Sequence, residues 1–458
     1  MESIWLKEYD APEFPSLDRD LEADAAVVGG GLAGILTAYF LAEHGKRVVV
    51  LEGRRIGQGA TAYTTAKITS QHGLCYAKLI RNYGQEKARQ YAKANQKAIK
   101  SYQHIIESKH IDCDYLPAYA DIYSVHGTKD VREEAEAARI CGIDAEFVTD
   151  TELPFPVDGS VRFSGQAQFH PLKFLSALAC GLEIYEHSFV TDVNSHRLTV
   201  KTEDGEYTVK AQDIVIATHY PMINAPGFYF TRMHQSLSYV MALKSVPALN
   251  GMYLSAGEDG FSFRSYGDTL LIGGCGHRTG ARSEINGYEQ LKEATKRFFP
   301  GTEITARWSN EDSMPHDGLP FIGRYSRATP HIYVASGFQK WGMTTAMIAA
   351  MMLSDEISDI TNEFEGLFSP RRLHIAAAAG PFFKDMGITL QNLILKKFMR
   401  AGTLEEEKKK GFGPTCPHLG CTMTWNETDQ TWDCPCHGSR FTSDGSIINN
   451  PAKKGMDI

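Results

Sequence analysis

The feature that most limits what this chain can fold into is a run of glycines set between two short apolar stretches near its start. Residues Ala25 to Val28 are apolar, Gly29-Gly30-Gly31-Leu32-Ala33-Gly34 comes at once, and Ile35 to His44 reads as a helix ended by Gly45. A strand then reads from Arg47 to Leu51 and closes on Glu52. Strand, glycine turn, helix, strand and acid is the order a dinucleotide-binding fold requires. Gly29 permits the tight turn, Gly31 lets the main chain reach a pyrophosphate, and Gly34 lets helix and strand pack closely. The phosphates would sit on the N-terminus of that helix, with Leu32 and Ala33 of the turn among the residues beside them. Glu52, 18 residues past Gly34, is placed to accept hydrogen bonds from a ribose. Arg54 and Arg55 would suit a 2'-phosphate, but the carboxylate of Glu52 opposes one.

At 458 residues the chain exceeds one ordinary core, so two or three domains are expected from about 100 to 200 residues each. A hydrophobic share of 43% is that of a globular protein rather than a disordered one. The net charge of -8 repels phosphate backbones and anionic lipid, so the expected substrate is a small molecule and no nucleic-acid partner is expected. The first residues carry no basic start leading into an apolar stretch and no twin arginine, which implies a cytoplasmic location. Nothing approaches the roughly 18 to 20 unbroken apolar residues of a membrane span. The nearest run, Met343 to Leu353, is interrupted by threonines, and no transmembrane segment is expected.

The residues after Glu52 decide between FAD and NAD. The segment Gly57-Gln58-Gly59-Ala60-Thr61-Ala62-Tyr63-Thr64-Thr65-Ala66-Lys67 resembles the stretch beside the flavin in the D-amino-acid oxidase and glycine oxidase family. Far downstream, Asp317 to Gly323 (DGLPFIG) and Ile332 to Thr344 (IYVASGFQKWGMT) resemble that family's last two flavin-binding segments. The resemblance spans about residues 24 to 362. It implies FAD, held by Gly59, Ala60, Thr61, Thr65, Gly337, Gly342, Met343 and Thr344 besides the glycine turn. Val190 matches the adenine-side position, and Ala217 and Thr218 end the strand DIVIAT that closes the nucleotide fold. His219 stands where many relatives carry glycine, so the local turn is expected to differ. A helix starting near Thr344 and aimed at the flavin pyrimidine would stabilise the negative charge of reduced flavin. NAD is the weaker cofactor reading, because a second site hundreds of residues later is what an extended FAD requires.

The nine cysteines fall into two groups. Cys75, Cys113, Cys141, Cys180 and Cys275 are scattered singly and read as small buried hydrophobes. Cys416, Cys421, Cys434 and Cys436 crowd into the last 43 residues, in Cys416-Pro417-His418-Leu419-Gly420-Cys421 and Cys434-Pro435-Cys436-His437-Gly438-Ser439. Two loops each offering one Cys and one His resemble the Rieske pattern of cytochrome bc complexes. Structural zinc is the competing reading, although zinc pairs usually leave two to four residues between ligands and Cys-x-His leaves one. By the resemblance, Cys416 and Cys434 bind one iron, His418 and His437 the other, and Cys421 with Cys436 forms a disulfide pinning the loops. Two neutral imidazoles in place of thiolates raise such a cluster to roughly -150 to +300 mV, within reach of flavin electrons. The chain departs from the pattern twice. Only Gly402 to Thr415, with the charge run Glu405 to Lys410, precedes the first loop, so the module is expected to be minimal and to lean on the flavin domain. Ser439 is placed to donate to a sulfide, but Phe441 replaces the tyrosine of high-potential relatives, which implies a lower potential.

The expected fold is therefore α/β: a Rossmann-like FAD-binding domain, an α+β substrate domain carrying a mixed sheet, and a small β-rich Rieske module. The oxidoreductase domain is expected over 1–365, with its FAD part at about 24–75, 160–225 and 315–362 and its substrate part at about 76–159 and 226–314. A helical linker at 366–405 leads into the module at 406–458. Residues 84 to 108 read as a helix; Ser238 to Leu243, Gly251 to Ser255, Gly260 to Ser265 and Thr269 to Gly273 alternate like antiparallel strands. Phe382, Phe383, Met386, Leu390, Leu393, Ile394 and Phe398 recur at helical spacing, giving a packed linker helix or, alternatively, a membrane-surface anchor. The family often grips a substrate carboxylate with an arginine, for which Arg264 is the candidate; Lys340 lies beside the flavin by the resemblance, and His277 lines the pocket or shapes a turn. The implied function is oxidation of a small amine or amino acid with electrons passing from FAD to the cluster and then to a one-electron carrier protein. The alternatives are a reductase with reversed flow and a non-enzymatic redox sensor.

Overall fold

The computed structural model describes residues 2–257, 260–281, 286–372, 374–393 and 413–456. The glycine turn sits where its spacing places it. The strand Leu21–Val28 is buried over its second half, and the helix Leu32–Glu43 starts directly after the turn. This strand is central in an eight-stranded sheet ordered Phe321–Ser326, Thr329–Ser336, Glu206–Ile216, Leu21–Val28, Val48–Leu51 and Glu183–Tyr185, with the hairpin Phe189–Asn194/Arg197–Lys201 beside it. Its middle strands are parallel, and the outer Phe321–Ser326 is antiparallel. Continuous apolar runs such as Val48–Leu51 are fully buried, as parallel strands covered on both faces must be. On one face the helices Leu32–Glu43 and Gly342–Ile357 pack together.

A nine-stranded sheet forms the second layer, running from Glu303–Pro315 through Met233–Lys244, Thr269–Arg278, Ser262–Tyr266, Met252–Ser255 and Leu116–Ser124 to Gly159–Gln168 and Lys67–Ile68. Met252–Ser255 and Leu116–Ser124 pair parallel and the other pairs antiparallel, so the sheet is mixed. Two of the expected boundaries move. Gly159–Gln168 pairs with Leu116–Ser124 in this sheet rather than joining the FAD part. The helix Gln85–Ser108, expected in the substrate part, packs on Gly342–Ile357, where Tyr102 Oη donates to the Met343 carbonyl at 2.8 Å.

The C-terminal module is a four-stranded antiparallel sheet, Thr424–Asn426, Thr431–Asp433, Arg440–Phe441 and Ile447–Asn449, around Met423, Trp425, Trp432 and Phe441. Ahead of it the linker forms a helix, Ile375–Leu393, with Leu393 packed against the module's core. The packed-helix expectation needs correction along part of its length: Phe383 and Leu390 are 67% and 50% exposed, so only one side of the helix is covered. Ile394, Phe398 and the charge run Glu405 to Lys410 lie outside the described residues. Among the described residues no helix is long and apolar enough to cross a membrane.

Candidate functional site: a dinucleotide cavity joined to a Cys/His loop pair

One cavity of about 1180 Å³ runs from the glycine turn to the nine-stranded sheet. That is more room than a drug-sized ligand needs and enough for an extended dinucleotide with a substrate beyond it. Gly29, Gly31, Leu32 and Ala33 form one end, and the N-cap of the helix that follows, Gly31, has no side chain with which to cap it. Main-chain N–H groups there are the natural partners of a diphosphate. Glu52 lines the same end: its Oε2 accepts from Gly30 N at 2.7 Å and its Oε1 from Arg54 N at 2.8 Å, and burial pushes its pKa up. Each oxygen keeps a second lone pair for a further donor. Gly59, Ala60, Thr61 and Thr65 line the next stretch, and Thr61 Oγ1 accepts from Leu32 N at 3.0 Å. Val190, Ala217, Thr218, Gly342 and Met343 line the cavity as well, and a Cβ on Gly29 would lie 2.6 Å from the Ala217 carbonyl oxygen. These are residue types that would suit an FAD.

Three of the expected cofactor residues shape the cavity without lining it. A Cβ on Gly34 would lie 1.9 Å from the Gly29 carbonyl oxygen, which is the close helix–strand approach expected of that glycine. Gly337, at φ +73°, leaves no room beside Pro315. Thr344 Oγ1 is turned away to donate to the Thr69 carbonyl at 3.0 Å. His219 answers for the glycine it replaces by adopting a left-handed backbone, at φ +65°.

The substrate-side candidates separate. Lys340 faces the cavity, with Nζ donating to Ser238 Oγ at 2.9 Å and 3.3 Å from Asp312 Oδ2. His277 is outside the lining. Its Nδ1 bonds the Arg278 carbonyl at 2.9 Å, so that nitrogen carries the proton, and Nε2 meets the hydroxyl of Tyr239, which does line the cavity, at 3.1 Å. Arg264 must be corrected. Its guanidinium is 1% exposed and donates to Gln168 Oε1 at 2.7 Å and to the carbonyls of Thr65, Ala66 and Phe169. Every nitrogen is occupied and none reaches the cavity, so Arg264 fastens the Thr65–Ala66 segment instead of gripping a carboxylate.

Sequence reasoning misses two further groups. Lys67 lines the cavity with a single hydrogen bond, to the Tyr253 carbonyl at 3.2 Å; burial, with the Arg264 cation beside it, pushes its pKa down to about 7. A lysine inside the flavin-side stretch TTAKIT was the available signal. Glu311 is buried where cavity and C-terminal module meet, its Oε2 accepting from Asn449 Nδ2 at 2.9 Å, and burial pushes its pKa up to about 8. Nothing local in the sequence marks it.

The module brings its two loops together. The thiols of Cys416 and Cys434 are buried and in contact, and Cys421 and Cys436 form a disulfide with their Cα atoms 6.6 Å apart. The rings of His418 and His437 lie 5.1 Å apart, and the Nδ1 atom of each is buried without a hydrogen-bond partner. His418 Nε2 meets the amide oxygen of Asn224 at 2.9 Å, so in the neutral ring the proton is there and Nδ1 keeps its lone pair. Two buried thiols and two imidazole Nδ1 atoms left without partners are the groups an iron pair with mixed ligands takes. The Ser439 hydroxyl reaches Cys416, and Phe441 fills the module's core.

The loop pair rests on the nine-stranded sheet. Arg278 donates from Nε to the Pro435 carbonyl at 3.0 Å and from Nη2 to the Cys436 carbonyl at 3.2 Å. Its Nη1 pairs with Asp385 of the linker helix, whose Oδ2 also meets His316 at 2.6 Å and His234 at 3.1 Å. A Cβ on Gly280 would lie 2.4 Å from Pro435 N, and one on Gly438 would lie 2.2 Å from Gln235 Cγ. Both glycines have positive φ, and through them main chain presses on the opposite surface without an intervening side chain.

The family model of FAD dependent oxidoreductases matches residues 24–356, and that of the Rieske [2Fe-2S] domain matches 397–457. The Rieske 2Fe-2S iron-sulfur protein YhfW of Bacillus subtilis (strain 168) is 33% identical over 99% of this chain and 97% of its own. Gamma-glutamylputrescine oxidoreductase of Escherichia coli (strain K12) is 23% identical over 77% of this chain and 87% of its own. The crystal structure of glycine oxidase from Geobacillus kaustophilus shares the fold, at a TM-score of 0.66 and 19% identity over 77% of this chain and 99% of that one.

Proposed function

This chain belongs to the FAD-dependent oxidoreductase family and carries a Rieske [2Fe-2S] domain, and we propose that it oxidises a small amine or amino acid and delivers the electrons through its own cluster to an external one-electron carrier protein. One observation carries the reading. The strand Thr269–Arg278 lines the cavity at Gly273 to Gly276 and holds the cluster loop through Arg278, two residues further on. Two strand residues span only about 7 Å, so cavity wall and cluster loop share one rigid element.

FAD bound in this cavity would supply an acceptor for the hydride on the carbon bearing the nitrogen, and a [2Fe-2S] cluster would supply the one-electron outlet. The residues have narrower tasks. Lys67, whose pKa burial lowers to about 7, accepts the proton of a substrate ammonium, since only a neutral amine can give up hydride. Lys340, fixed by Ser238 and Asp312, holds a positive charge at the sheet end of the cavity. Cys416 and Cys434 would hold one iron and His418 and His437 the other, with the Cys421–Cys436 disulfide pinning the loops. The activities in the names of gamma-glutamylputrescine oxidoreductase and glycine oxidase support a substrate with a C–N bond.

Anaerobic mixing of the holoprotein with a panel of amines and amino acids tests this. At least one compound is expected to bleach the flavin, with the cluster's visible bands fading after it. A flavin that dithionite reduces but no member of the panel does would argue instead for reversed flow or a redox sensor.

A further inference from the structure

The end of the C-terminal module does something that iron ligation does not require. From Ser446 to Gly455 the chain leaves the cluster loops and runs along the mouth of the dinucleotide cavity, where it forms part of the lining beside Gly53, Arg54 and Val190. These belong to the adenosine side, around Glu52. The segment is held there by bonds to the nucleotide fold itself. Asn450 Nδ2 donates to the carbonyls of Thr218 at 2.9 Å and Tyr220 at 2.8 Å, directly after the strand Glu206–Ile216. Arg54 donates to the Ile448 carbonyl, and Lys453 Nζ donates to the Thr191 carbonyl at 3.2 Å.

We propose that the segment Ser446–Gly455 is a wall of the FAD site, closing the cavity over the adenosine diphosphate half of the cofactor, so that FAD leaves only when this segment lifts. The inference rests on the proposed FAD oxidoreductase function. The ligand chemistry is a dinucleotide whose phosphates lie on the helix opened by Leu32, and Lys453 and Lys454 bring positive charge to the rim of the same cavity. Because the segment continues the strand Ile447–Asn449 of the iron-sulfur sheet, cofactor binding and module docking stabilise each other, each binding the state the other favours.

The test uses the full-length holoprotein. FAD release after dilution is tracked by the fluorescence of free flavin in the wild type and in the double variant Asn450→Ala/Lys453→Ala, with cluster absorbance confirming that the module remains folded. Release is expected to be about tenfold faster in the variant, the scale of two or three lost hydrogen bonds. In parallel, amide exchange across residues 446–455 is compared in wild-type protein with FAD and after flavin removal; FAD should slow it. Equal release rates together with FAD-independent exchange would overturn the proposal while leaving the oxidoreductase reading intact. A wild-type holoprotein containing no FAD would overturn both.

Discussion

At the glycine turn, the groups that shape the site are near neighbours in sequence: the Gly29 carbonyl fills the space a side chain on Gly34 would need, and Glu52 binds the N–H of Gly30. At the cluster loops the supports come from far away. Arg278 reaches Pro435 across 157 positions, and Gly280 gives up its side chain so that Cys434 and Pro435 can approach. The glycine turn is thus shaped within one supersecondary unit, whereas the cluster loops are completed by a different domain. A change on the nine-stranded sheet should therefore be felt at the cluster, and a change of the same size there should leave the glycine turn alone.

The largest expected effect is at the cluster ligands. Cys434→Ser should abolish bound iron and the cluster's visible and EPR signals; iron retained at the wild-type level would mean that another residue ligates. Next comes Lys67→Met on the flavin side. In the wild type, kcat/KM should rise with pH through about 7, as Lys67 loses its proton and becomes able to accept one from the substrate. The variant should lose that rise and be slower above it by about 100-fold, the lower end of what a positioned base contributes. An unchanged pH profile would remove Lys67 from the chemistry. Gly280→Val sharpens the comparison most, since it touches neither cofactor. A left-handed backbone and a Cβ 2.4 Å from Pro435 N together predict about 3 kcal/mol of lost stability and a perturbed cluster EPR spectrum. A normal cluster in a protein of wild-type stability would show that the loops do not need the sheet.

The same contrast explains what was legible in the sequence. The dinucleotide unit can be read because its strand, turn, helix and acid succeed one another within about thirty residues, each with a local reason. The cluster loops can be read because each pairs a cysteine with a histidine within four residues, Cys416-Pro417-His418 and Cys434-Pro435-Cys436-His437, with a further cysteine in each. Arg264 is misread because an arginine in an alternating strand looks alike whether it faces ligand or core; only the fold shows that Thr65, Ala66 and Phe169 take its donors. Gly159–Gln168 falls to the wrong layer because alternation reports a strand, not which sheet adopts it. Glu311, Arg278 and the tail over the cavity have no local signature, since each gets its meaning from a partner more than a hundred positions distant.

The central claim is that flavin and cluster exchange electrons inside one chain whose module is docked on the nine-stranded sheet. Flash reduction of the flavin in anaerobic holoprotein, with the cluster's absorbance recorded in time, tests it most directly. A first-order reduction of the cluster at a rate independent of protein concentration is predicted. A rate that grows in proportion to concentration would mean that electrons pass between molecules, and would contradict the claim.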